Sequence, residues 1–122
     1  MARKFYGLTR VKVSGDSMLP TLADGDQLWV RWPRTQGVAA RGVEVGDIVV
    51  IEREIQPGIF YIKRVSEIEK SAESHNGPEG VTTPHTERKF FVLSDNPAGN
   101  DSRSWGWLVE AEIVGRALIF RK

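Results

Sequence analysis

Two residues of this chain have types and settings suited to nucleophilic chemistry: a serine in a glycine-bearing bend and a lysine in an apolar row. Ser17 lies within Ser14-Gly-Asp-Ser-Met-Leu-Pro-Thr-Leu-Ala-Asp-Gly-Asp26. Gly15 lets the backbone turn sharply, and Pro20 fixes a φ suited to one short helical turn. Such a bend exposes the Ser17 hydroxyl and frees nearby backbone N–H groups to face a ligand. A serine placed this way is also an ordinary turn former, so the chemistry needs a second group that takes its proton. Lys63 is the candidate. In Gly58-Ile-Phe-Tyr-Ile-Lys-Arg-Val-Ser66 the alternation puts Ile59, Tyr61, Lys63 and Val65 on one face. Burial there disfavours the ammonium and makes a neutral amine available as a general base. The plainer alternative is a lysine that snorkels to water from a half-buried edge strand. His75 and His85 sit in a polar, turn-rich segment and make poor bases; two histidines without cysteine also make a poor metal site.

The elements that must position these groups read as strands. Thr9–Val13 precedes the serine bend, and Gln27–Trp32 follows the Asp24-Gly25-Asp26 punctuation. Ile48–Ile51, the lysine strand and Lys89–Leu93 continue the pattern. Val109 to Phe120 reads as a strand bent or bulged at Gly115. Trp29 and Trp32 fall on opposite faces of their strand, which fits either a doubly covered strand or an exposed aromatic patch. Arg34–Gly42 reads as a flexible connection. Residues 66–88 are polar and turn-rich, and read as a long hairpin or loop that is either a solvated excursion or a substrate-guiding flap.

One domain spanning 1–122 suits the length and leaves enough chain for a real core. The charge balance, 17 basic against 16 acidic residues, supplies no field for nucleic acid or an anionic membrane. With no cysteine there are no disulfides or thiolate metal sites, as suits a reducing compartment. No run of roughly 18 apolar residues exists, so no integral membrane segment is expected. The first residues lack the apolar stretch of a signal peptide.

On these residues the chain resembles the Ser–Lys peptidases, the superfamily of type I signal peptidases and self-cleaving repressor domains. Ser17-Met-Leu-Pro-Thr-Leu22 is similar to their nucleophile box, Gly46-Asp-Ile-Val-Val50 to the intervening strand box, and Lys63-Arg-Val65 to the lysine box. Ser94-Asp-Asn-Pro-Ala-Gly-Asn-Asp-Ser-Arg103, with Gly106 and Val114-Gly-Arg-Ala117, is similar to their C-terminal box. The resemblance implies an all-β fold of antiparallel strands with one short helical turn after the nucleophile. It implies Ser17 as nucleophile and Lys63 as base, with no metal or cofactor. Oxyanion and backbone support would come from Ser17, Asp16 and Gly15, with the Ser17 N–H the surest donor. Asp101, Ser102 and Arg103 would brace the site, and Met18, Pro20 and Tyr61 would line the substrate pocket. Where membrane-anchored signal peptidases carry a serine that steadies the lysine, this chain has Gly99; Ser102, Ser94 or a water must then substitute.

The implied partner is a protein substrate, laid out as an extended strand beside the catalytic strands. Small size, the missing anchor and the Asp-Asn-Pro loop resemble the nickel-type superoxide dismutase maturation proteases. That likeness implies removal of an N-terminal leader from the nickel superoxide dismutase precursor, and a soluble cytoplasmic enzyme. Three other readings stand: an anchorless signal peptidase acting on exported precursors, a self-cleaving domain, and a non-catalytic peptide-binding module.

Overall fold

The computed structural model describes residues 7–33, 38–76 and 82–118, the side chains of 71–76 and 82–86 apart. Seven strands form one antiparallel sheet: β1 (Gly7–Lys12), β2 (Gln27–Trp32), β3 (Ile48–Glu52), β4 (Phe60–Asn76), β5 (Thr82–Leu93), β6 (Leu108–Val109) and β7 (Ile113–Ala117). Their order across the sheet is β1-β2-β7-β3-β4-β5-β6. The only α-helix among the described residues is α1 (Ser102–Trp105). The all-β expectation is met. After Ser17 the chain makes a turn closed by the Leu22 N–H on the Met18 carbonyl at 2.8 Å, a single helical turn rather than a helix. No helix among the described residues is long and apolar enough to cross a membrane.

Side-chain alternation explains which strands lie deepest. In β3 the unbroken run Ile48–Ile51 is buried on both faces. Ile48 and Val50 join Val13, Met18, Leu22, Leu28, Val30, Trp32 and Val114 in one cluster. Val49 and Ile51 join Val65, Phe90, Val92, Leu108 and Ile113 in a second. A continuous apolar run is what a doubly covered strand requires. In β2 strict alternation holds instead: Leu28, Val30 and Trp32 point inward, while Gln27, Trp29 and Arg31 face out. The two tryptophans therefore differ. Trp32 is core, and Trp29 stands 44% exposed with the Arg10 guanidinium 5.3 Å from its ring.

Of the two forms expected for residues 66–88, a long hairpin or a loop, the hairpin is found: 66–76 and 82–88 lie in the β4–β5 ribbon, paired from Arg64 with Leu93 out to Asn76 with Thr82, with one bulge between Val65 and Glu67. A two-stranded ribbon is held by its backbone ladder, so a polar sequence does not prevent pairing. One expectation needs correction: the final run is not one strand. A 3-10 turn at Glu110–Glu112 separates β6 from β7, with the Glu112 carboxylate accepting from the N–H groups of Val109 and Glu54 at 3.0 and 3.1 Å. The irregularity anticipated at Gly115 is present. It faces a register shift at Val50–Ile51, and a Cβ there would lie 2.8 Å from Val30.

Candidate active site

The serine bend is fastened by the short motif that follows it. Gly15 takes φ +86°, a conformation open to glycine and strained for other residues. Its N–H donates to the Asp24 carboxylate at 2.8 Å, and the Asp26 carboxylate accepts from the Ala23 N–H at the same distance. β1 and β2 continue their ladder beneath, with the Val13 N–H on Asp26 and the Gly25 N–H on Val13 at 2.7 and 2.9 Å. Met18 is buried in the core, which anchors the bend from below and leaves Ser17 half-buried at the surface. Among the described residues no acceptor takes the Ser17 N–H, whereas the Gly15 N–H is occupied by Asp24. Gly15 thus supports the turn and is unavailable as an oxyanion donor.

Lys63 does not snorkel. Its residue is only 3% exposed. The ammonium lies 5.9 Å from the centre of the Tyr61 ring and 5.8 Å from that of Trp105. Burial pushes the Lys63 pKa below its ordinary value, opposed in part by the negative charge of Asp101. Among the described residues its hydrogen bond runs to Ser94 Oγ at 2.9 Å. Ser94 in turn donates its hydroxyl to the Asn100 carbonyl at 3.2 Å.

The loop from Ser94 to Asp101 joins the two halves of the site. Asn96 holds the serine bend by two contacts, its N–H on the Ser17 carbonyl at 2.9 Å and its side-chain amide on the Asp16 carbonyl at 3.0 Å. Arg64, beside Lys63 in sequence, grips both oxygens of Asp95 at 2.9 Å. Asp101 caps α1 by accepting from the Arg103 N–H at 3.0 Å, and also accepts from the Ser94 N–H at 2.8 Å. The Arg103 side chain reaches both Asp101 oxygens, at 2.9 and 3.0 Å, and the carbonyls of Pro97 and Gly99. Burial pushes the Asp101 carboxyl up, but the hydrogen bonds from Arg103 and Ser94 outweigh it and hold its pKa below the ordinary value. Gly99 sits against Ser17 and Ser94. A Cβ at Gly99 would meet Ser94 Oγ at 2.4 Å and Ser17 Cβ at 3.0 Å.

Ser17, Met18, Tyr61 and Lys63 all line one cavity of about 480 Å³. Its walls include Arg10–Ser14 and Phe60–Ile62. Pro20 is not part of it: it is exposed in the turn beyond the serine, because Met18 rather than Pro20 points inward. Ser102 is buried, but its hydroxyl accepts from the Val92 N–H at 2.9 Å and so fastens α1 to β5. Of the three substitutes for the missing helper serine, Ser94 is the one that contacts Lys63. Asn96 and the Arg64–Asp95 pair were not foreseen as site residues. The Asn96-Pro97 pair inside an active-site loop was the available signal for the first. The side chains of His75 and His85 lie outside the described residues, and no cluster of metal-binding side chains occurs among those described.

Ser17 and the buried Lys63 share one cleft, an arrangement that could support nucleophilic chemistry. Comparison with known proteins gives the family. Residues 1–68 match the family described as signal peptidase, peptidase S26. The chain is also similar to a probable signal peptidase I-1 of Synechocystis sp., with 31% identity over 134 aligned residues, covering 87% of this chain and 67% of that protein. The chain belongs to the peptidase S26 (signal peptidase) family, and is a serine peptidase acting on protein substrates.

Proposed function

We propose that this chain is a signal peptidase I-like leader peptidase that cuts by a Ser17–Lys63 dyad. The observation that carries the reading is a lysine buried among Tyr61, Trp105 and Ser94, with its pKa lowered, lining the same cavity as Ser17. The neutral Lys63 amine takes the Ser17 proton as Oγ attacks the scissile carbonyl. The negative oxygen that forms is met by the free Ser17 N–H. Lys63 then gives its proton to the leaving amine, and the acyl-enzyme is hydrolysed by a water that Lys63 deprotonates in its turn.

The substrate backbone has two strand edges to use. β1 ends the sheet of described residues on one side. In β4 the ladder with β5 begins at Arg64, so among the described residues Tyr61–Lys63 have a neighbouring strand, β3, on one side. Both edges line the cavity, so an extended peptide laid there gains main-chain hydrogen bonds and brings its carbonyl to Ser17. The family match and the similar protein's name favour the leader of an exported precursor over the leader of a nickel superoxide dismutase precursor. The latter remains the narrower alternative suggested by the Asp-Asn-Pro loop.

Incubating the protein with a signal-peptide-bearing precursor and, separately, with a nickel superoxide dismutase precursor tests both. Intact mass of the products identifies the cut. Cleavage of the first by wild type, lost in Ser17→Ala and Lys63→Met, is the expected result. Cleavage of the second alone would transfer the assignment to metalloenzyme maturation. Continued cleavage by Ser17→Ala would end the dyad reading.

A further inference from the structure

We propose that Ser94 is the positioning residue of the Lys63 amine, taking from the opposite side of the loop the place that Gly99 leaves without a side chain. The inference rests on the dyad reading above and adds to it a specific group and a specific geometry.

The hydrogen bonding around Ser94 is directional. Its hydroxyl proton is directed at the Asn100 carbonyl at 3.2 Å, so an oxygen lone pair is left facing Lys63 Nζ at 2.9 Å. An amine that donates one hydrogen to that lone pair has its own lone pair turned elsewhere, free to accept the Ser17 proton. The backbone of Ser94 is fixed as well: its N–H is held by Asp101 at 2.8 Å, and the following residue, Asp95, is gripped by Arg64. Ser94 is 7% exposed, so water competes poorly for this acceptor.

The space around Gly99 shows that the arrangement is exclusive. A side chain at Gly99 would place its Cβ 2.4 Å from Ser94 Oγ and 2.7 Å from Ser94 Cβ, distances that real atoms do not adopt. One side chain fits in this space beside Ser17, and the fold has placed it at Ser94. The same reasoning says that the hydroxyl is transferable: Ser94→Gly removes the two closest contacts of a Gly99→Ser side chain and leaves only the 3.0 Å approach to Ser17 Cβ, a contact that a small shift relieves. Gly99 does not have a positive φ, so a serine there meets no backbone strain.

Among the described residues the charge acting on Lys63 is that of Asp101, which Ser94→Ala leaves in place with its Ser94 N–H contact. Removing the hydroxyl takes an acceptor from the ammonium form more than from the amine, because hydrogen bonds to a charged group are the stronger. The experiment is therefore a pH profile of leader cleavage for wild type, Ser94→Ala and the Ser94→Gly/Gly99→Ser double variant, with Ser17→Ala and Lys63→Met alongside. In Ser94→Ala, plateau kcat falls by about 10²-fold with KM little changed, as for a misdirected catalytic group. The midpoint of the rising limb also moves to lower pH. A purely structural role would lower the plateau without moving the midpoint. The double variant recovers activity and returns the midpoint towards wild type.

An unchanged plateau and midpoint in Ser94→Ala overturn the proposal. Should Ser94→Ala lose its cooperative melt, the double variant decides. Cleavage with a wild-type midpoint sustains the inference, and absence of cleavage overturns it. The parent reading fails separately, if Ser17→Ala or Lys63→Met still cuts.

Discussion

Gly99→Ala places one methyl group at the tightest point of the site. Its Cβ would lie 2.4 Å from Ser94 Oγ, 2.7 Å from Ser94 Cβ and 3.0 Å from Ser17 Cβ. Unstrained carbon contacts lie at about 3.5–4.0 Å, so a gap of about 1 Å must open. Neither side yields freely. Ser94 is tied to Lys63, Asn100 and Asp101. The Gly99 backbone is tied through its carbonyl to Arg103 at 3.1 Å and through its N–H to Asn96 at 3.0 Å. Overpacking of this kind costs about 1–3 kcal/mol. Because the displacement falls on Ser17 and on the residue that holds Lys63, kcat should drop by about 10²-fold, the effect of a misplacement near 1 Å. Urea melts read the first quantity, and cleavage at saturating substrate reads the second. Adding Ser94→Gly to Gly99→Ala removes two of the three close contacts and should restore stability without restoring the rate. Wild-type rates in Gly99→Ala would refute the reasoning, since the loop would then be free to shift without disturbing the site.

Asn96→Ala removes the side-chain contacts to Asp16 and Ala98, both at 3.0 Å; a loss of about 1 kcal/mol per bond and a lower kcat are expected in melts and cleavage assays. Lys63→Met should raise the melting temperature at neutral pH, because it removes a buried ammonium. The folded chain releases the Lys63 proton below the ordinary value of 10.5, so between the two values the unfolded chain binds more protons. Wild-type stability should therefore gain on Lys63→Met as pH rises through that window, and cleavage should rise with pH through the lower of the two values. Asp101→Asn acts at the other end of the scale. The folded-state pKa of Asp101 is held below 3.8, so its contribution is present above 3.8 and is lost as pH falls through the lower value. The variant should be less stable at neutral pH and lose less on acidification, a difference that acid titration followed by circular dichroism will show.

Much of the site was legible because its signals are local. Alternation in Ile59–Val65 placed Lys63 inward, and the structure buries it. Gly15 and the Asp24–Asp26 motif announced a bend, and their hydrogen bonds close it. The run Ile48–Ile51 announced a strand, which the structure covers on both faces. What local patterns did not carry was partnership across the fold. Ser94 was one of three groups able to serve Lys63. The choice depends on Ser102 being occupied by Val92, 10 residues away in the chain. Pro20 was taken for a pocket residue by its nearness to Ser17, yet the turn points it outward. For residues 66–88 the sequence left a hairpin and a loop both open, because a backbone ladder can form along a polar stretch and leaves little mark in the residue types.

On the proposed dyad reading, the bracing of the loop also explains how Lys63 stays usable as a base. A carboxylate touching the amine would stabilise its charged form and remove the lone pair that the chemistry needs. Asp101 lies near enough to oppose the lowering of the Lys63 pKa, but it does not bond to Lys63. Its oxygens are taken by the Arg103 side chain, by the N–H of Arg103 at the start of α1, and by the Ser94 N–H. Arg103 thus does two things. It carries the loop carbonyls of Pro97 and Gly99, and it keeps the Asp101 charge from pairing with Lys63. The amine is left with a neutral hydroxyl as its partner and two aromatic rings as its walls. That environment satisfies one N–H without holding the proton that the lysine must give up.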